Sequence, residues 1–456
     1  MNQGFTFSNR IVISFPQKHY QPLYEELWHN FCYASCEGDM ILSEESELVI
    51  GSPQKSGETD VLTVSDEGIY MRFSDRKLLL NAYFELLQKI IPLNLEEGKE
   101  ELFIPAYSKK YEKPAKPKMI HLCLGPETSV LFFRKSLRLA GILGYTHLIV
   151  EFWGTYRFRS MEQLGWSDYS YTKEELMDMF EEARAFGMEI VPMMNCFGHA
   201  SSCGHSTGKH AALDQNPRLA PYFSADGWCF NIQNSKVKEL LRSIREELYE
   251  ICGEGEYFHI GCDEGYSYMA PEYKENVGEF LSEITREVVR EGRRPIMWGD
   301  MLMHRESLPI PEEDRRNYAC FAYDYECGKV LLDSIHKKTI IADWQYCPKQ
   351  APLVSTRYLM EAGFDVIVCP WNEYPTIECA VETLEQLDAF GIMQTTWGDL
   401  EHKMDIIYYT MLRTKEKTDS QMLFDLWNSK MRIECATLTR KLMQTRKYED
   451  AGWCRK

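Results

Sequence analysis

From residue 119 onward the chain alternates short apolar runs with longer amphipathic stretches, and eight such runs can be counted. They are residues 119–124, 147–152, 189–193, 257–261, 295–298, 339–344, 366–369 and 392–396. Strands covered on both faces read as continuous apolar runs, whereas helices repeat every three to four residues. Between the runs that second pattern holds. Val237, Leu240, Leu241, Ile244, Leu248 and Ile251 share one helical face, and Val277, Phe280, Leu281, Ile284 and Val288 share another. Eight strand–helix units predict an α/β fold, a (β/α)8 TIM-type barrel. An open doubly wound sheet is the alternative. Against it, the first run leads into Leu124-Gly125-Pro126-Glu127-Thr128, which is not a glycine-rich phosphate turn.

The segment before the barrel reads as a small α+β domain. It offers strands at 10–15 and 47–51, a helix at 20–31, and a hairpin of 61–65 with 69–73 about Asp66-Glu67-Gly68. Ser74 then caps a helix with the stripe Leu78, Leu79, Ala82, Leu86 and Ile90. Lysines and prolines in 107–118 suggest a linker. The expected division is 1–112, a linker at 113–118, and a barrel at 119–456. Further helices are expected at 381–390, 406–412 and 422–437. A formal charge of −18 argues against nucleic acid and anionic membrane surfaces as partners. The first ten residues are polar, and no run approaches the ~20 apolar residues of a membrane span. Fifteen scattered cysteines read as mostly reduced thiols, so a cytoplasmic location is expected.

In a TIM-type barrel, chemistry sits at the C-terminal strand ends. The third run ends in Asn195-Cys196-Phe197-Gly198-His199 and the fifth in Trp298-Gly299-Asp300. The sixth ends in Trp344-Gln345-Tyr346, the seventh in Trp371-Asn372-Glu373-Tyr374, and the eighth in Trp397-Gly398-Asp399. One such tryptophan is commonly core; four at successive ends suggest a sugar pocket, where aromatic faces meet the C–H face of a pyranose. The fourth run leads into His259-Ile260-Gly261-Cys262-Asp263-Glu264. Two carboxylates at a buried strand end are costly unless they are paired or used. The plainer reading makes them solvated acids at the start of a helix. Cys196, His199, Cys203, His205 and His210 raise a metal site as a rival, although CxxHxxxCxH is not a standard zinc spacing.

The hexad resembles the His-x-Gly-x-Asp-Glu motif of family 20 glycoside hydrolases, the β-N-acetylhexosaminidases. It is most similar to their hexosaminidase D-like branch, where aromatic residues follow, as Tyr266 and Tyr268 do here. His199 falls on the histidine of the family's Pro-Gly-His element, although Phe197 replaces the proline and Asn195 the usual aspartate. Trp298 and Asp300 fall in the strand-five Trp-Asp element. Trp344 and Trp397 match the aromatic walls around the reacting sugar. Leu124-Gly125-Pro126 lacks the arginine that many members use on sugar hydroxyls, as does the hexosaminidase D-like branch; Asp300, Asp399 and Glu401 are the candidates to replace it.

The resemblance implies exo-hydrolysis of terminal β-linked N-acetylhexosamine with retained configuration. N-acetylgalactosamine would be favoured over N-acetylglucosamine. The substrate's acetamido group would act as nucleophile. Glu264 would be the general acid and Asp263 would orient the acetamido N–H. Tyr346 or Tyr374 would hold the acetamido oxygen, and Trp371 would complete the walls. His259 and Asn195 would act from behind the site. The expected partner is a glycan or glycoside; no cofactor and no metal are expected, and no oligomeric state is implied. Alternatives are a two-carboxylate glycosidase pairing Glu264 with Asp300 or Glu373, or a catalytically silent sugar-binding barrel.

Overall fold

The computed structural model describes residues 4–8, 12–14, 20–32, 39–41, 47–51, 53–54, 57–94, 101–201, 212–415 and 420–443. Eight parallel strands form one sheet: β1 (Lys118–Leu124), β2 (His147–Phe152), β3 (Glu189–Pro192), β4 (Tyr257–His259), β5 (Arg294–Trp298), β6 (Ile340–Trp344), β7 (Asp365–Cys369) and β8 (Gly391–Thr395). β1 lies between β2 and β8, and the remaining strands follow in chain order. The ring closes where Met193 bridges His259 in parallel and the Met194 and Cys196 amides donate to the His259 and Ile260 carbonyls. This is a (β/α)8 barrel. Alternation along each strand sorts the core into two layers. Met119, Ile149, Val191, Ile296, Ile367 and Met393 fill the barrel. Ile120, Leu148, Ile190 and Met297 point outward into the helical ring.

The helices begin where side chains can satisfy their free amides. Ser129 caps Val130–Leu143, and Thr172 with Glu175 forms a capping box on Lys173–Ala185. Helices Ser235–Cys252 and Lys274–Arg290 bury the two stripes expected of them. Tyr374–Gln386, Met404–Lys415 and Ser420–Lys441 complete the C-terminal part. No described helix is long and apolar enough to cross a membrane.

The N-terminal region carries a four-stranded antiparallel sheet in the order Glu47–Gly51, Gly68–Arg72, Val61–Val64, Tyr107–Lys110. Residues 107–110 are therefore a strand and not part of a loose linker. Residues beyond them are fastened as well: Lys113 pairs with Asp75 at 2.8 Å and Lys116 with Asp388 at 2.5 Å. The helix that follows the hairpin, Arg76–Lys89, is capped by Asp75 and not by Ser74, whose hydroxyl bonds Asp60. Short strands Gly4–Ser8, Asp39–Ile41, Ile91–Asn94 and Glu101–Pro105 were not legible as apolar runs. This region packs on the barrel through Phe84 against Phe186 and the Tyr24 hydroxyl on the Ala185 carbonyl. Both contacts precede β3, at the barrel end opposite the acid motif.

Candidate active site

The acid motif lies just beyond β4, in a backbone turn of unusual hand. Gly261, Cys262 and Glu264 have φ of 65°, 70° and 49°. Left-handed backbone costs a non-glycine residue about 1–2 kcal/mol, a strain that persists only where the surroundings impose it. Here they do. A Cβ on Gly261 would stand 1.8 Å from the Asn195 Oδ1, so no larger residue fits. That oxygen accepts the Cys262 amide at 3.0 Å. The Asn195 Nδ2 donates to Glu151 at 3.1 Å, and Glu151 meets the His121 Nε2 at 2.9 Å. This chain of buried polar groups braces the turn from inside the barrel. From above, Gly198 approaches so closely that a Cβ there would lie 2.1 Å from the Asp263 carbonyl oxygen.

The turn changes where the carboxylates point. Neighbouring side chains on an extended strand diverge. Asp263 and Glu264 instead converge on His199, whose Nε2 lies 3.2 Å from the Asp263 Oδ2 and 3.1 Å from the Glu264 Oε2. His199 itself has φ 57°, and its ring packs on Trp228 with centroids 4.5 Å apart.

Asp300 holds this arrangement from behind. Its two oxygens accept the Glu264 amide at 2.8 Å and the Trp344 indole N–H at 3.1 Å. It is buried and does not line the cavity, so its expected contact with sugar hydroxyls is replaced by a bracing role. Burial first, then the Asp263 charge, pushes its carboxyl up to about 8, against the pull of those two donors.

Asp263, Glu264 and His199 open onto a cavity of about 210 Å3 whose other walls are Trp153, Trp344, Tyr346, Trp371 and Trp397. The aromatic rings lean on one another: Trp344 on Tyr346 at 5.1 Å, Tyr346 on Trp371 at 5.3 Å, and Trp153 on Trp397 at 6.0 Å. The Trp397 indole N–H donates to the Tyr346 hydroxyl, which fixes the phenol in place. Burial holds that phenol well above its ordinary pKa, so it is a neutral hydrogen-bonding group.

Several expected residues stand elsewhere. Tyr374 is the first residue of its helix and gives its hydroxyl to Asp405 at 2.7 Å, outside the cavity. Trp298 is fully buried beneath the cavity, with its ring 4.5 Å from His259 and 5.5 Å from Trp397. Asp399 is exposed and caps the turn Leu400–His402; it borders a neighbouring cavity with Glu127 and Trp153. Glu401 is exposed beside it. Glu373 is exposed and paired with Lys349 at 2.9 Å. His259 is buried and its Nδ1 accepts the Gly261 amide at 3.0 Å, so it shapes the turn. Of the proposed metal cluster, Cys203, His205 and His210 lie outside the described residues. The Cys196 thiol is buried and turned to the Met194 carbonyl.

Comparison with known proteins bears on this geometry. Residues 145–382, just over half of the 456-residue chain, match the family described as glycosyl hydrolase family 20, catalytic domain. The chain belongs to glycosyl hydrolase family 20. The matched stretch runs from β2 into the helix Tyr374–Gln386 and includes the whole acid turn. Hexosaminidase D from Bos taurus is 22% identical over 213 residues, which are 43% of this chain and 57% of that protein. The match thus spans little more than half the length of that relative. Among solved structures, the family 20 exo β-N-acetylglucosaminidase from Vibrio harveyi, in complex with N-acetylglucosamine, superposes with a TM-score of 0.64. It is 17% identical and covers 97% of this chain and 75% of its own. The family 20 β-N-acetylhexosaminidase from Streptomyces coelicolor A3(2) gives a TM-score of 0.64 at 13% identity, with 97% and 94% covered. These likenesses carry the family 20 fold to β1 and β8, which lie outside the matched stretch. Sequence reasoning missed Trp153, Trp228, Glu151 and His121. Trp153 directly follows β2, so its place at a strand end was a usable signal; the other three carry no motif.

Proposed function

We propose that this chain is an exo-acting β-N-acetylhexosaminidase with substrate-assisted, retaining catalysis. The observation that carries the reading is the convergence of Asp263 and Glu264, through His199, on one side of a small cavity walled by indoles and Tyr346. Drug-sized ligands fill roughly 300–1,000 Å3. A cavity of about 210 Å3 suits a single terminal sugar.

In this mechanism the substrate's acetamido oxygen closes on the anomeric carbon. Glu264 gives its proton to the glycosidic oxygen, the C–O bond breaks, and the leaving group departs as an alcohol. Asp263 accepts the acetamido N–H and offsets the positive charge that develops on the ring being formed. The Tyr346 hydroxyl steadies the acetamido oxygen. Water then opens the oxazoline, giving a proton to Glu264 and restoring the starting configuration. A two-carboxylate mechanism needs a second acid facing Glu264 across the sugar. Asp300 is engaged behind the turn and Glu373 is paired at the surface, so neither supports it. Resemblance to the hexosaminidase D-like branch supports a preference for N-acetylgalactosamine over N-acetylglucosamine. Eleven cysteines among the described residues are free thiols, ten of them buried, which supports action in a reducing compartment such as the cytoplasm.

Release of nitrophenol from aryl β-N-acetylgalactosaminide and β-N-acetylglucosaminide tests this, with wild type and Glu264→Gln side by side. Wild type should turn over both, the first faster. The variant should lose about 10³-fold or more in kcat/KM. Equal turnover by the variant would remove Glu264 from the acid role, and no turnover of either sugar by wild type would sink the reading.

A further inference from the structure

A second set of aromatic rings stands outside the cavity, on the Glu264 side alone. Trp228 and Tyr266 stack with centroids 5.7 Å apart and planes 20° apart. Tyr266 meets the edge of Phe321 at 5.8 Å, and Phe321 meets the cavity-wall residue Trp344 at 5.8 Å. The three rings make a continuous rim that begins at His199 and ends at Trp344. Tyr266 is 43% exposed, and Trp228 and Phe321 are half-buried.

The rim is built, not incidental. Asp226 accepts the Trp228 amide at 3.1 Å and the Ser267 hydroxyl at 2.8 Å, which staples the loop carrying Trp228 to the turn carrying Tyr266. The Trp228 indole N–H donates to the Glu264 carbonyl, and the Phe321 amide donates to the Asp300 carbonyl at 2.7 Å. Each ring is thus tied to the backbone of the acid or its brace. Beside the Glu264 carboxylate, the Tyr266 phenol is held above its ordinary pKa, first by burial and then by that charge. The exposed faces of these rings form an apolar surface that a ligand can cover.

What covers it follows from the acid's task, and here the inference rests on the reading above. A general acid must touch the glycosidic oxygen. The leaving group therefore emerges past Glu264, and the first surface it meets is this rim. Flat aromatic faces with a phenol and a carboxylate at their edge suit a pyranose, which has an apolar C–H face and a ring of hydroxyls. We propose that Trp228, Tyr266 and Phe321 form a subsite for a sugar in the leaving group. The chain then acts on the ends of glycans in preference to N-acetylhexosamine on small alcohols or aryl groups.

The test compares kcat/KM on three substrates with the same terminal sugar: its fluoride, its nitrophenyl glycoside, and a β-linked disaccharide. Wild type is set against Phe321→Ala, Tyr266→Ala and Tyr266→Phe. The two alanine variants should lose roughly tenfold more on the disaccharide than on the fluoride, mostly through KM. Tyr266→Phe keeps the ring and loses only the hydroxyl, so its ratio between those substrates should lie between those of wild type and Tyr266→Ala. The fluoride rate also reports that each variant is folded. Equal losses on fluoride and disaccharide would overturn the subsite. A loss confined to the nitrophenyl glycoside would overturn its assignment to a sugar. Failure of wild type on all three would instead remove the hexosaminidase reading beneath it.

Discussion

The two halves of the barrel mouth solve different problems. The half built by β3, β4 and β5 concentrates charge and strain. Gly261, Cys262 and Glu264 sit in left-handed backbone, two carboxylates meet at His199, and Asp300 and Asn195 bind the turn's amides. The half built by β6, β7 and β8 is aromatic and unstrained. Trp344, Tyr346, Trp371 and Trp397 stand on or just after regular strands and support one another through tilted ring contacts and the Trp397–Tyr346 hydrogen bond. The contrast teaches a division of labour. A carboxylate that must reach one atom needs its backbone fixed at a cost, whereas a wall that excludes water and guides a ring needs only packing. Removing a carboxylate that faces the cavity should therefore strike the rate, and removing a wall residue, or a brace such as Asp300 that does not line the cavity, should cost less.

Asp263→Asn is the sharpest probe of that contrast. The amide keeps the volume but loses the charge that faces the developing oxazolinium ion. The expected loss is about 10²–10³-fold in kcat with a small change in KM, as for other electrostatic stabilisers. Tyr346→Phe samples the opposite wall. It removes one hydrogen bond to the acetamido oxygen and leaves the Trp397 N–H without its acceptor. Roughly a tenfold loss is expected, shared between kcat and KM. Steady-state kinetics on the aryl glycoside decides between the halves: a Tyr346→Phe defect as large as that of Asp263→Asn would erase the distinction.

The same contrast explains what could be read from the sequence. The barrel was legible because both faces of each strand are buried, so all eight runs were apolar and fell within two residues of the observed strands. The short N-terminal strands Gly4–Ser8 and Asp39–Ile41 left no such trace. In the site, the acid pair was legible as an energetic anomaly. The turn that makes the pair converge was not, because nothing in Gly-Cys-Asp-Glu announces left-handed backbone at three of four positions. Strand-end position also says nothing about depth. Trp298 ends β5 and Trp344 ends β6, yet the first lies under the cavity and the second lines it. Tyr346 and Tyr374 looked alike in the sequence. One follows its strand by two residues and faces the cavity, and the other already begins a helix and faces Asp405.

Asp300→Asn gives the smallest effect on rate and the clearest view of the strained half. In the folded chain its carboxyl titrates near 8, against an ordinary value of 3.8. Below the ordinary value both folded and unfolded states hold the proton, and the group's contribution to stability is fully present. As the pH rises towards 8 the unfolded state ionises and the native site resists, so that contribution is progressively lost. Asparagine cannot ionise. It will carry a fixed penalty of about 1–3 kcal/mol for mispairing one of the two N–H donors that Asp300 serves. The variant should thus be less stable than wild type at pH 4, and the gap should close as the pH rises and reverse before it reaches 8. Thermal unfolding of both proteins across that range measures it. A gap that stays constant would mean that Asp300 ionises as easily inside the barrel as in water, and that burial beside Asp263 is not the force on this half of the mouth.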